Sequence, residues 1–292
     1  MKEQSVFMYI FFLLFIGFII RYLASNYIEP PQTEGFIQKE TFLLKRDQDI
    51  YDDFYSSVYD EIFIPLPRIE KVKNIIRKTE PYKENSKFLD IGSGTGMLVN
   101  TLTEQGYDAF GLDSSESMVD YAEKKYPLST FIGGDVKVPM QFEPNTFTHI
   151  CCVDFTIYLF SDKSEIFRNI YNWVTNGGYL ILHLVDPDAF DTIIPAGKPF
   201  EDVHKYIPNH KRILETSVEF EDFHYKSKYI VDSPKLWKQM ETFIDKKTKH
   251  IRQNERNLFM DTIENILFLA EKNRFKKIDL YSEHEYYVLK KI

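Results

Sequence analysis

Five aspartates, Asp90, Asp113, Asp135, Asp154 and Asp186, each close one of five successive apolar runs. Between the first two lies "FLDIGSGTGMLVNTLTEQGYDAFGLD", residues 88–113: an apolar strand, a glycine-rich turn, a helix, and a second strand ending on an acid. Such a unit brings backbone N–H groups and a carboxylate for hydroxyl groups to one end of a parallel sheet, where nucleotide-like ligands bind. Aspartate is common in turns after strands, but five in the same topological place make a row of acids along one sheet edge.

The spacing decides which ligand. A dinucleotide fingerprint wants glycines at 92, 94 and 97; here they are Gly92, Gly94 and Gly96, with Met97 at the third place. NAD and FAD bring a pyrophosphate, which needs a close helix N-terminus and no nearby acid. Asp90, just before the turn, would repel a pyrophosphate and attract an ammonium. S-adenosylmethionine has an ammonium and no phosphate, so the pattern suits it. Gly92, Gly94 and Gly96 leave room for the ligand against the backbone. Asp113 would accept from the ribose hydroxyls, as it also would for NAD. Asp135 is placed for the adenine amine, and Asp154 for the position of methyl transfer. The Tyr121–Lys125 pair in "YAEKK" matches the Tyr-x-x-x-Lys of short-chain dehydrogenases. It follows the second strand, too early for that family, and the dehydrogenase reading would require NAD(H) binding.

The elements that must hold these residues alternate. Phe88–Ile91, Ala109–Leu112, "TFIGGD", "FTHICCVD" and "GGYLILHLVD" are predicted strands. Helices are predicted over Thr95–Gln105, Ser117–Lys125 and Lys163–Val174, and "DIYDDFYSSVYDEIF" and "RIEKVKNIIRKT" show helical spacing before the first strand. Alternation of this kind predicts a parallel sheet with helices on both faces. After Asp186 the pattern changes: Arg212–Val231 reads as an antiparallel pair, "NLFMDTIENILFLAEKNRF" as a helix, and "KKIDLY" with "EYYVLKKI" as a terminal hairpin-like pair.

Taken together, "FLDIGSGTG…GLDSSESM…IGGDV…FTHICCVDFTIYLF…GGYLILHL" resembles a class I S-adenosylmethionine-dependent methyltransferase of the small-molecule type, from about Tyr51 to the C-terminus. The resemblance implies a Rossmann-like α/β fold with a seven-stranded, mostly parallel sheet, helices on both faces and a closing antiparallel strand. It implies S-adenosyl-L-methionine as cofactor, held by Asp90, Gly92, Ser93, Gly94, Gly96, Asp113, Ser114, Met118, Asp135 and Val136. It also implies that the helix containing Tyr51, Tyr55 and Tyr59 covers the cofactor. Packing of an amphipathic helix accounts equally well for those aromatic residues.

The motif says little about the acceptor, because methyl transfer from a sulfonium needs mainly positioning and desolvation. "DFTIYLF" lacks the prolines of amino-methylating DNA enzymes, and Cys151 and Cys152 precede the loop where a cytosine methyltransferase carries its nucleophile. Candidate catalytic residues are Asp154 and His183, the latter either a general base or a core histidine with a satisfied hydrogen bond. Candidate acceptor-binding residues are Phe155, Tyr158, Asp186 and Tyr59. An insertion over about 188–256 would cover the strand ends, and its Lys246, Lys247, Lys249, His250, Arg252 and Arg256 read as a solvated helix face, with contact to an anionic substrate or lipid headgroup as the alternative. The expected activity is methylation of a small molecule or lipid. Protein methylation and a non-catalytic binding module of the same fold stay open.

Bulk properties are those of a globular chain: 292 residues, 43% hydrophobic, with a formal net charge of -8. That acidity argues against broad nucleic-acid binding. The only cysteines, Cys151 and Cys152, are adjacent in an apolar run and read as buried thiols; no metal ligand set is expected. Val6–Ala24 is apolar and as a helix spans about 28 Å, so residues 1–25 are expected to be a single membrane anchor, with a secretory signal as the rival. Residues 26–48 then form a stalk and 49–292 the methyltransferase domain. The placing of Lys and Arg mildly favours a cytosolic domain. The oligomeric state is left open.

Overall fold

The structure is a computed structural model and describes Phe15 and residues 39–197, 212–279, 281 and 285–292. The chain divides into two compact units, Met1–Ile37 and Gln38–Ile292. In chain order the second unit holds β1 (Phe42–Arg46), α1 (Asp53–Phe63), α2 (Leu66–Lys78), β2 (Lys87–Ile91), α3 (Met97–Glu104), β3 (Asp108–Asp113), α4 (Glu116–Lys125), β4 (Thr130–Gly133), β5 (Phe147–Cys152), α5 (Lys163–Trp173) and β6 (Val174–His183). There follow β7 (Glu215–Glu219), β8 (Phe223–Ser233), β9 (Leu236–Asp245), β10 (Ile251–Phe259), α6 (Ile263–Lys272), β11 (Phe275–Lys277) and β12 (Tyr286–Lys291).

Local chemistry sets the helix boundaries. The Asp52 carboxylate accepts from the Tyr55 N–H at the start of α1, and Ser115 and Asp162 cap α4 and α5 in the same way. Ile64 ends α1 in the left-handed region, Pro65 follows, and α2 begins with a proline in its first turn.

The main sheet has the order β11-β12-β6-β5-β2-β3-β4. β2 through β6 pair in parallel, β12 pairs antiparallel with β6, and β11 antiparallel with β12. Its two faces are sealed by separate apolar clusters, one centred on Ile150, Phe167, Trp173 and Leu180, the other on Ile75, Phe88, Val99 and Ile181. β2 pairs with β3 on one side and β5 on the other, so the chain direction of the crossovers switches there. A crevice opens at the carboxyl ends of strands flanking such a point.

A second sheet, β1-β10-β9-β8-β7, is built by the insertion. β7 to β10 form an antiparallel meander, and β1 adds in parallel along β10. This corrects the reading of the basic cluster. Arg252 and Arg256 lie on strand β10, 3% and 8% exposed, rather than on a solvated helix. Alternate residues of β9 and β10 face inward, but several are Gln239, Glu241, Arg252, Asn254 and Arg256. A buried face made of polar residues hides the period-2 apolar signal.

The N-terminal expectation is also corrected. Among the described residues no helix is long and apolar enough to cross a membrane. Of the Val6–Ala24 stretch only Phe15 is among the described residues. The stalk expected up to residue 48 gives way at Phe42, where β1 begins and pairs with β10.

Candidate functional site

The first cavity, of about 600 Å³, lies at the carboxyl ends of β2, β3 and β4. Gly92, Gly94, Asp113, Ser114, Met118, Asp135 and Val136 all line it, as do Tyr51 and Tyr59. Asp113 is braced from both sides: Oδ2 accepts from the Gly94 N–H at 2.8 Å and Oδ1 from the Ser115 N–H at 2.9 Å. Its remaining lone pairs can take ligand hydroxyl groups. Burial nonetheless pushes its pKa up, against these backbone hydrogen bonds. Asp135 Oδ1 accepts from the Lys137 N–H, and the Asn169 amide holds the Val136 carbonyl at 2.9 Å.

The glycines divide by role. Gly94 has φ +52° and nothing within 4 Å of where a Cβ would stand, so its backbone is bare to the cavity. Gly96 does not line the cavity; a Cβ there would fall 2.5 Å from the Phe131 ring, and its absence lets α3 pack on the sheet. Met97 at the dinucleotide position therefore costs no packing, because Gly96 already supplies the close approach.

Asp90 and Ser93 stand behind the glycine turn and do not line the cavity. Asp90 is 5% exposed, and its Oδ1 has no hydrogen-bond partner. Burial, then the charges of Asp154 and Asp113, push its pKa well above the ordinary range. A buried carboxylate oxygen without a partner, beside a cavity that also offers a ribose acceptor, fits a ligand that brings its own ammonium. S-adenosylmethionine has that donor set. Ser93 Oγ is likewise buried without a partner, over Gly111.

A second cavity, of about 810 Å³, adjoins the first, and Tyr51, Tyr59, Asp154 and Leu159 line both. Asp154 and Phe155 hold positive φ, +50° and +66°, immediately after β5. Two such residues in succession are a strained backbone of the kind found where side chains must be aimed. Phe155 and Tyr158 line this second cavity. The Tyr158 hydroxyl is engaged elsewhere, since it donates to the Val185 carbonyl at 3.0 Å and accepts from the Val185 N–H at 2.9 Å. Asp186 lines neither cavity; it is exposed and accepts from the Asp188 N–H.

His183, 2% exposed, is fixed between the Tyr286 ring and the Phe155 ring, both at 4.5 Å. Its Nε2 is 3.2 Å from Glu285 Oε2, while Nδ1 has no hydrogen-bond partner and lies 3.9 Å from Asp154 Oδ1. Asp154 Oδ1 is also 3.1 Å from Arg68 Nε. Neither atom completes a hydrogen bond, and both are buried. The second cavity thus holds Arg68 and Lys71 against Asp154, Asp191 and Glu285. The motif reading missed Arg68, Lys71 and Glu285. They come from α2 and the C-terminal hairpin, and only the cationic i, i+3 spacing of Arg68 and Lys71 on an amphipathic helix hinted at them.

α1 covers both cavities. Its Asp60 accepts from the Thr95 hydroxyl of the glycine turn at 2.6 Å and pairs with Lys125 of α4. From the other side, Tyr51 and Tyr55 of its first turn and approach are gripped by the second sheet. Arg256 donates to both hydroxyls, and Glu241, fully buried, accepts from Tyr55 and Tyr225 and pairs with Arg256 at 2.7 Å.

A protein-family model described as a methyltransferase domain matches residues 89–182. The chain is 25% identical over 237 residues to a phosphoethanolamine N-methyltransferase of Plasmodium falciparum, covering 77% of this chain and 81% of that one. It is 29% identical over 158 residues to phosphoethanolamine N-methyltransferase 1 of Triticum aestivum, covering 52% of this chain and 30% of the wheat protein. Among solved structures it matches an S-adenosylmethionine-dependent methyltransferase from Clostridium acetobutylicum with a TM-score of 0.59 at 16% identity, over 81% of this chain and 97% of that one.

Proposed function

We propose that this chain, a class I S-adenosylmethionine-dependent methyltransferase, transfers its methyl group to the nitrogen of a small amine that also carries an anionic group. The observation that carries the reading is the facing of Asp154 and Arg68: opposite charges 3.1 Å apart, with buried atoms that complete no hydrogen bond, in a cavity continuous with the cofactor cleft. Polar atoms buried in this state are costly unless a ligand satisfies them. The relatives named for phosphoethanolamine N-methylation support both the nitrogen and the anion.

Bound S-adenosylmethionine supplies an electrophilic methyl group on a sulfonium. Asp154, in the wall common to both cavities, holds the acceptor ammonium at their junction. Arg68 and Lys71 hold the anionic end by charge-assisted hydrogen bonds. Tyr51 and Tyr59 keep water from the junction. His183, with Nδ1 facing Asp154, removes the ammonium proton so that the nitrogen lone pair is free to attack.

The full chain, incubated with methyl-labelled S-adenosylmethionine and phosphoethanolamine, ethanolamine or a cell extract, tests this. Label on the amine of phosphoethanolamine, at least tenfold faster than on ethanolamine, is the expected result. Label confined to protein or to carboxyl and hydroxyl oxygens would overturn it.

A further inference from the structure

We infer that Glu285 is the exit for the proton set free by methyl transfer, taking it from His183 to solvent. The inference rests on the amine reading above.

Transfer to an ammonium-bearing acceptor must release one proton. The nitrogen lone pair forms the N–C bond, the C–S bond breaks with its electrons on sulfur, and R–NH3+ becomes R–NH2CH3+ with one proton over. That proton arises in a cavity lined on one side by α1, and the base that takes it must be reset before the next turnover. His183 cannot do this alone, being 2% exposed and held between two aromatic rings that stop its ring from swinging outward.

Its two nitrogens face different worlds. Nδ1 has no partner and looks toward Asp154, at the junction of the cavities. Nε2 is 3.2 Å from Glu285 Oε2, whose side chain is 55% exposed. A proton arriving at Nδ1 therefore lets another leave from Nε2 to the carboxylate and on to water. Glu285 directly precedes β12, and its carbonyl accepts from the Leu184 N–H just after His183, so the two backbones are locked in register. The other titratable or charged groups of this cavity are Asp154 beyond β5, Arg68 and Lys71 on α2, Asp191 after β6, and the phenols of Tyr51, Tyr59, Tyr158, Tyr229 and Tyr286. Among the described residues only Glu285 has a polar atom within hydrogen-bond distance of the His183 ring. That contact holds the Glu285 carboxyl below its usual range, so it is ionised and able to accept.

The test compares the full-length wild type with Glu285→Gln and Glu285→Asp. In Glu285→Gln the affinity for S-adenosylmethionine and the KM for phosphoethanolamine should stay within twofold, while kcat falls at least tenfold and is restored in part by high concentrations of small buffer bases. Glu285→Asp should retain more of kcat than Glu285→Gln. A wild type that N-methylates, with a Glu285→Gln variant of equal kcat and no buffer dependence, would overturn this inference alone. A wild type that methylates no amine would overturn it together with the amine reading.

Discussion

Arg256 Nη1 donates to the Tyr51 hydroxyl across 2.8 Å, and through that bond the second sheet reaches the wall shared by both cavities. Tyr55, one turn on, is held by the same guanidinium and by Glu241. Burial raises the pKa of both phenols in spite of the neighbouring cation, so they stay neutral: both accept from Arg256, and Tyr55 also donates to Glu241.

Removing one member of this network should therefore be felt as stability. Arg256→Ala strands Glu241, which has no solvent exposure, and should cost about 3–5 kcal/mol in denaturant unfolding. Tyr51→Phe keeps the ion pair and loses one hydroxyl, so unfolding should change by about 1 kcal/mol while the Kd for S-adenosylmethionine rises several-fold. Wild-type cofactor affinity in Tyr51→Phe would show that the hydroxyl does not shape the cleft.

Two glycines in one turn should fail in opposite ways. Gly94→Ala meets nothing within 4 Å and carries only the strain of φ +52°, about 1–2 kcal/mol, yet it puts a methyl into the cofactor cleft. Calorimetry should show affinity reduced at least tenfold in a folded protein. Gly96→Ala drives a methyl into the Phe131 ring and the Ala122 Cβ, and should lower the melting temperature more than it lowers affinity per folded molecule. The reverse ranking would contradict the assignment of Gly94 to the ligand and Gly96 to packing.

Asp90 couples cofactor binding to protons. Burial raises its pKa above the unfolded value, so its contribution to stability is complete below that unfolded value and is lost as pH rises through the raised one. A ligand ammonium favours the ionised carboxylate, so below the raised pKa binding should release a proton. Titrations in buffers of different ionisation heat would count it. Asp90→Asn should abolish the release and make the free protein more stable at alkaline pH.

His149 sets the acid side. It hydrogen-bonds the Thr79 and Thr148 hydroxyls at 2.9 and 2.8 Å and stacks on Phe88, and burial lowers its pKa from 6.5 to about 4. The unfolded chain takes up the proton first, so stability should fall as pH drops from about 6.5 toward 4. His149→Gln should flatten that slope in unfolding curves measured across the window.

The alternation of strands and helices, the switch at β2 and the aspartates at strand ends were legible because each is a local pattern. Asp113, Asp135 and Asp154 reached the cavities from that pattern alone, and Cys151 and Cys152 are the buried thiols it implied, 1% and 0% exposed. Asp186 obeyed the same pattern and still turned outward, because the chain after β6 bends at Asp186–Ala189. The acceptor cavity was illegible for another reason. Arg68 and His183 lie on α2 and β6, and Glu285 directly before β12, far apart in the chain and brought together only by the fold. In the second sheet, β7 and β8 are the antiparallel pair read from Arg212–Val231, whereas β9 and β10 were hidden by their own chemistry, since Glu241, Arg252 and Arg256 are buried through ion pairs and so mimic a solvated face in sequence.

β1 has a practical meaning for anyone handling the protein in pieces. It is the outer strand of the second sheet, and Phe42–Arg46 lies along β10 from Ile251 to Glu255. A chain trimmed to begin at Asp47 would keep every residue that lines the cofactor cleft, Gln48 included, and lose this strip. The bared backbone of β10 would then be a template for a strand from another molecule. Such a fragment would fail in storage by sticking to itself before it failed in the assay.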